Sequence, residues 1–146
     1  MTPIEPDERQ FGEVAAIAGG AGDGPVVMLN LNRYRERAEY GTEPPGGEPT
    51  DVSGHDAYLR YGVVASAVLA SVGGRILWHT ESKRTVIGDD GDRYDEVIAV
   101  WYPSLAAFGT LATHPDVLAA RHHRVAALER AALICCESGA EPVLEA

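Results

Sequence analysis

The alternation of apolar and polar positions divides the chain into a series of elements. Residues 6–18 place Phe11, Val14, Ala15 and Ile17 at helical spacing behind an acidic first turn, and Gly19, Gly20, Gly22 and Gly24 then break the helix. Residues 25–34 alternate, with Val27, Leu29 and Leu31 on one face and Met28, Asn30 and Asn32 on the other. That is a strand with one oily face and one that carries amides. Residues 35–52 hold Pro44, Pro45, Gly46, Gly47 and Pro49 and read as a long surface loop. Ser53, with Asp56 three residues on, opens a helix to about residue 72, and its stripe runs through Tyr58, Tyr61, Ala65, Val68 and Val72. Gly73 and Gly74 supply the left-handed stop.

The second half repeats the theme. Residues 75–88 read as a strand, 89–92 (DDGD) as a hairpin turn and 94–103 as a third strand. Ser104 caps a helix through about residue 112. A further helix runs from 116 to about 130 behind Pro115, and 132–137 closes as a strand. After the N-terminal helix the order is β-α-β-β-α-β, an α+β ferredoxin-like plait with both helices on one sheet face. The domain therefore spans 25–137, preceded by a helix and Gly-rich linker at 1–24 and followed by a polar tail at 138–146. The other sheet face is left uncovered. The expectation is that it carries both tryptophans' strands and the amide side of the first strand. Such a patch on a monomer has to meet something, and a symmetric homodimer is the simplest solution.

Composition narrows the class. The chain has 146 residues, one domain's length, with 45% hydrophobic and 23% charged residues. Its formal charge of −10 repels phosphate backbones and anionic lipid, which disfavours nucleic acid and membrane as partners. No apolar run is long enough to cross a bilayer, and the acidic N-terminus lacks the order of a secretory signal. The two cysteines, Cys135 and Cys136, are adjacent and cannot staple distant segments, which points to a cytoplasmic chain with free thiols. There is no Walker loop, dinucleotide-binding glycine fingerprint, nucleophile elbow or zinc-spaced set.

Several stretches resemble a known family: GPVVMLNLNRYRERAEY, HDAYLRYG with GGRILWHTE, YDEVIAVWYPSLAAF, and RHHRVAALERAALI. Together they are similar to the family called domain of unknown function 1330, of the dimeric α+β barrel superfamily, over about residues 25–136. The resemblance implies a ferredoxin-like protomer and a homodimer whose two sheets enclose a cavity. Other branches of that superfamily include cofactor-free monooxygenases, lactone isomerases, polyketide cyclases and haem enzymes, so the resemblance fixes the fold more than the chemistry. The chain departs from the common pattern at Asn32 and Tyr34, where many relatives carry an apolar residue and a phenylalanine.

Candidate chemistry rests on a short set of side chains. Asn30 stands out, because an amide on a sheet face costs free energy unless its polar atoms are paired. Asn32 lies beside it. Asp95 opens the third strand, with Glu96 pointing the opposite way, and a carboxylate there can orient a histidine or take a proton from a carbon acid. His122 and His123 sit 100° apart on the last helix, too far round to converge on one metal. His122 is next to Leu118 and Val125 near the apolar stripe, while His123 faces the alanine side and Arg124 follows. Tyr58 and Tyr61 each offer a ring to the core and a hydroxyl to a ligand. His79 and Glu81 share one face of the second strand. Trp78 lies on its other face and, like Trp101, suits a core, an interface or an aromatic-lined cavity.

The leading assignment takes Asn30, Asp95 and His122 as catalytic. Asn32, Tyr58, Tyr61, Trp78, His79, Trp101, His123 and Arg124 line a sheet-face cavity for a small molecule, with no metal and no obligatory cofactor. The chemistry expected is proton transfer, cyclisation or oxygenation of an enolisable or carbonyl-bearing compound. The alternative is a dimer that binds a small ligand without catalysis.

Overall fold

The computed structural model describes residues 3–138. In chain order the elements are α1 (Glu8–Ile17), β1 (Val26–Tyr34), α2 (Gly54–Ser71), β2 (Arg75–Glu81), a 3-10 turn (Asp90–Asp92), β3 (Glu96–Tyr102), α3 (Leu105–Ala112), α4 (Pro115–Ala127) and β4 (Leu128–Glu137). The four strands form one antiparallel sheet in the order β2-β3-β1-β4. This is the split βαβ plait the periodicity predicts, with its extra N-terminal helix. The tail expected at 138–146 lies, apart from Ser138, outside the described residues.

The helix boundaries follow their capping chemistry. Asp7 and Gln10 form a reciprocal capping box at α1, and the Ser53, Ser104 and His114 side chains each accept an N-terminal amide of α2, α3 and α4. Gly73 ends α2 at φ +81°. Asp23 extends this logic across the chain. From the linker before β1 it accepts the Leu105 and Ala106 amides at 2.7 and 3.0 Å, and the Gly19 amide at 2.8 Å. It thereby fastens the end of α1 to the N-terminus of α3, and the amide hydrogen bonds from Gly19 and Leu105 hold its carboxyl below the ordinary value.

Two strand ends depart from the expected pattern. β2 stops at Glu81 rather than 88: its last ladder partner on β3 is Glu96, and the Ser82 amide makes one more bond, to the Asp95 carbonyl, before the chain leaves the sheet. Residues 82–95 instead form an excursion around the 3-10 turn, so the DDGD run is not a tight hairpin. β4 begins at Leu128, directly after α4. Its Leu128-Glu129-Arg130-Ala131 start has helical propensity, but pairing with the end of β1 prevails.

The helices cover the even-numbered face of β1. Met28 packs with Val68 and Leu69 of α2, Val100 and Tyr102 of β3, Leu105 and Leu111 of α3 and Val117 of α4. Asn30 and Asn32 are therefore beneath the helices, and the oily row Val27, Leu29, Leu31 lies on the open face, the reverse of the sequence expectation. The amides are tolerated there because their hydrogens find partners within the sheet: Asn30 donates to the Met28 and Ile98 carbonyls and Asn32 to the Tyr34 hydroxyl. Both tryptophans do lie on the open face: Trp78 pairs with Ala99, and Trp101 with Val27.

A second, smaller core of Ala57, Ala127 and Leu128 marks where α2 and α4 meet the end of β1. The chain crosses itself tightly there. The Arg35 amide donates to Ala127 and the Gly54 amide to the Arg35 carbonyl. A Cβ on Gly54 would stand 2.2 Å from the Arg35 oxygen and 2.7 Å from the Ala127 oxygen.

Two outcomes follow. Gly54→Ala drives a methyl into two backbone carbonyls and should lower the urea-unfolding free energy by about 2 kcal/mol or more. Asp23→Asn should lower the melting temperature at neutral pH. Because the folded carboxyl titrates below its unfolded value, its contribution is full above about pH 4 and disappears as pH falls through the folded value. The difference between wild type and Asp23→Asn should therefore shrink in melts recorded at successively lower pH.

Candidate functional site

The layer between the sheet and α2 holds a cluster of polar side chains at the end of the sheet where β1 finishes and β3 begins. Register sets it up, because Asn32 pairs directly with Glu96 and both project to the helix side. Asn32 is 2% exposed, and its Nδ2 donates to the Tyr34 hydroxyl at 3.4 Å. The Tyr34 hydroxyl in turn donates to Glu96 Oε1. The other oxygen, Glu96 Oε2, lies 3.5 Å from His79 Nδ1 on edge strand β2. Glu96 is thus a half-buried carboxylate shared between a buried phenol and an exposed imidazole.

Helix α2 closes this layer with aromatic rings. The Tyr34 ring lies 5.2 Å from His55 and 5.3 Å from Tyr58, and Tyr58 lies 5.7 Å from Tyr61. Burial raises all three phenols above their ordinary value, and for Tyr34 the bond to Glu96 raises it further. The Arg124 charge and, at Tyr58, the Asn32 amide pull the other way without reversing the direction. The phenols therefore remain protonated donors at neutral pH. Arg124 donates to the Ile4 carbonyl at 2.7 Å, which ties the N-terminal segment across α4.

The other candidates are distributed around this cluster. Asn30 spends its amide hydrogens on the Met28 and Ile98 carbonyls, both at 3.3 Å. Asp95 accepts the Tyr34 backbone amide at 2.8 Å and lies 3.6 Å from Arg93, so it pins the strand end while Glu96 enters the layer. Trp78 and Trp101 are on the opposite side of the sheet, where Arg75 stacks 5.0 Å from the Trp101 ring and the Trp101 indole donates to Ser138. Glu81 shares the His79 face and is exposed.

A second group lies on the outer side of the α2–α4 pair, under the 35–52 loop. Here His123, not His122, is the buried ring, because the alanine side of α4 packs inward while Leu118 and Val125 stay exposed. His123 Nδ1 is 2.6 Å from the Tyr40 hydroxyl, which also accepts from Arg60 at 3.2 Å. Glu48 approaches the other ring nitrogen at 3.8 Å. Burial, and then the neighbouring His122, lower the His123 value. The two imidazoles lie 4.0 Å apart between centroids, closer than a 100° separation on the helix suggests, and the Tyr40 ring sits against both. His122 Nε2 and Glu48 Oε2 are buried without a hydrogen-bond partner among the described residues. No group of three or more His, Cys, Asp or Glu among the described residues is arranged to hold a metal.

The sequence singled out Asn32, Tyr58, Tyr61 and His79, which the fold brings to one layer. It gave no role to Tyr34 or Glu96. The signal that finds them is parity: Tyr34 shares a face with Asn32, and Glu96 is the residue of the acidic pair that faces as Asn32 does. Tyr40 and Glu48 lie in a loop with no periodicity to expose them.

Comparison with known proteins bears on the fold. A family model described as Domain of unknown function (DUF1330) matches residues 49–137. A protein of unknown function from Rhodopseudomonas palustris is 32% identical, with 97% of this chain and 100% of that chain aligned at a TM-score of 0.80. Its methylated form is 33% identical over 95% and 98% of the two chains, at a TM-score of 0.77. A dimeric ferredoxin-like protein of unknown function from Jannaschia sp. CCS1 shares the fold at 14% identity, a TM-score of 0.50, and 78% and 99% coverage. No curated protein matches the sequence. The polar layer thus sits in a ferredoxin-like plait, and the chain belongs to the DUF1330 family.

Proposed function

We propose that the protein is a homodimeric enzyme that moves a proton on a small carbonyl-bearing, enolisable compound, using its own side chains at the Asn32–Tyr34–Glu96–His79 layer. The observation that carries this reading is the sharing of Glu96 between Tyr34 and His79. A carboxylate beside an exposed imidazole supplies two things proton transfer needs, a base and a route from that base to water. The phenols of Tyr58 and Tyr61, kept protonated by burial, suit the opposite role of donating to the carbonyl oxygen as charge develops there. In the step proposed, the carbon–hydrogen bond next to the carbonyl breaks and its proton passes to Glu96. The electron pair moves onto the carbonyl oxygen, where a phenol holds it, and His79 exchanges the proton with solvent.

Dimerisation is supported by the open sheet face. Val27, Leu29 and Leu31 of β1, Val97 and Trp101 of β3, Trp78 of β2 and Ile134 of β4 form an apolar surface that no helix of the described residues covers. Trp78 and Ile134 remain 50% and 49% exposed. A second copy placed face to face buries this patch under two-fold symmetry.

Light scattering at micromolar concentration should return about 31 kDa, twice the 15.6 kDa chain. A stable monomer overturns the dimer. For the chemistry, proton NMR in D2O should show deuterium entering the carbon next to the carbonyl of one or more members of a panel of ketones and keto esters. Glu96→Gln should slow that exchange by about 100-fold or more, with its melting temperature kept within a few degrees. Exchange no faster than buffer across the panel, or undiminished in Glu96→Gln, removes the enzyme reading; saturable binding without exchange supports a ligand-binding dimer instead.

A further inference from the structure

Between β2 and β3 the chain makes an excursion, residues 82–95, that carries the two most exposed large apolar side chains described, Val86 at 88% and Ile87 at 93%. A loose loop would need no explanation for them, but this one is tightly held. Thr85 Oγ1 donates to the Asp92 carbonyl at 2.9 Å, Asp89 and Asp92 cap one another's amides, and the Ser82 amide donates to the Asp95 carbonyl at 2.8 Å. Arg33 reaches over from β1 to donate to the carbonyls of Arg93, at 2.7 Å, and Asp90. Arg130 of β4, opposite Arg33 in register, approaches the Tyr94 hydroxyl at 3.4 Å. Both arginines share the parity of Leu31 and Ala132, so the excursion is anchored on the open side of the sheet. The structure thus presents Val86 and Ile87 to water on a fixed platform at the rim of the apolar sheet face.

Position points to what covers them. Four strands at about 4.8 Å spacing, with central strands of 9 and 7 residues rising about 3.3 Å each, give a face of roughly 19 by 26 Å, or about 500 Å². A stable interface takes about 800 Å² of accessible surface from each partner, a quantity larger than the flat outline of a face because side chains stand out from it. The excursion continues this face at its rim and adds two further exposed apolar side chains to it. We infer that residues 82–95 are an arm that clasps a second copy of this chain, with Val86 and Ile87 seated on the partner beyond the edge of its sheet. This rests on the homodimer reading and adds that the contact extends past the sheets to the excursion.

Sedimentation velocity of wild type and of a Val86→Asp, Ile87→Asp double variant separates the two ideas. Wild type should be dimeric, and the variant should raise the dimer Kd by about 100-fold or more with unchanged circular dichroism. A wild-type monomer removes the homodimer and the arm together. A dimeric wild type with an equally tight variant dimer removes the arm alone. Should the double variant lose its fold, Ile87→Cys in a Cys135→Ser, Cys136→Ser background, labelled with a benzophenone maleimide, replaces it. Irradiation should give a covalent dimer, and a monomer band from a sample dimeric by scattering overturns the arm.

Discussion

Strand β1 is hydrogen-bonded along both edges, to β3 and to β4, and its two-residue alternation therefore governs both sides of the molecule. Once Met28 is fixed in the helix-covered core, Asn30, Asn32 and Tyr34 must lie under the helices, while Val27, Leu29, Leu31 and Arg33 must face the other way. A slip of one residue would bury the arginine and expose the amides. The tyrosine layer, the oily sheet face and the anchoring of the 82–95 excursion by Arg33 all follow from that one register.

The price of placing amides in a core is met locally. Asn30 satisfies its amide hydrogens on the carbonyls of the adjoining strands, and Asn32 passes its hydrogen bond through Tyr34 to Glu96. The polar chain reaches water at His79, so the carboxylate is neither stranded in apolar surroundings nor fully solvated. The outer histidine group is built differently, with loop residues Tyr40 and Glu48 folding onto a helix. Among the described residues it leaves two buried atoms, on His122 and Glu48, without a partner, in contrast with the well-connected inner layer.

The order of elements was legible because the chain keeps to the 3.6- and 2-residue periods and punctuates them with caps, glycines and prolines. The face of β1 was not. Val-Leu-Leu against Met-Asn-Asn suggests that the oily side goes inward, and the pattern does not show that the amides will find partners in the Ile98 carbonyl of β3 and the Tyr34 hydroxyl. The same limit explains the acidic pair at 95–96. Alternation separates Asp95 from Glu96, but only the Asn32–Glu96 pairing reveals which of them enters the layer. The end of β2 depended on the position of its partner strand, and the start of β4 on β1, neither of which a local window contains.

Strand geometry has a further consequence at Cys135 and Cys136. Cys135 stands opposite Met28 and Cys136 opposite Val27, so the plane of the sheet separates the two sulfurs although the residues are adjacent. Joining them would require the backbone to leave its extended conformation and give up its ladder with β1. An oxidant therefore meets two independent thiols rather than a ready dithiol. The Cys135 thiol is also pushed up by burial and by its neighbour, which lowers its thiolate fraction. A vicinal pair in a loop could close a ring on oxidation, whereas here the ladder with β1 keeps each thiol on its own side of the closing strand.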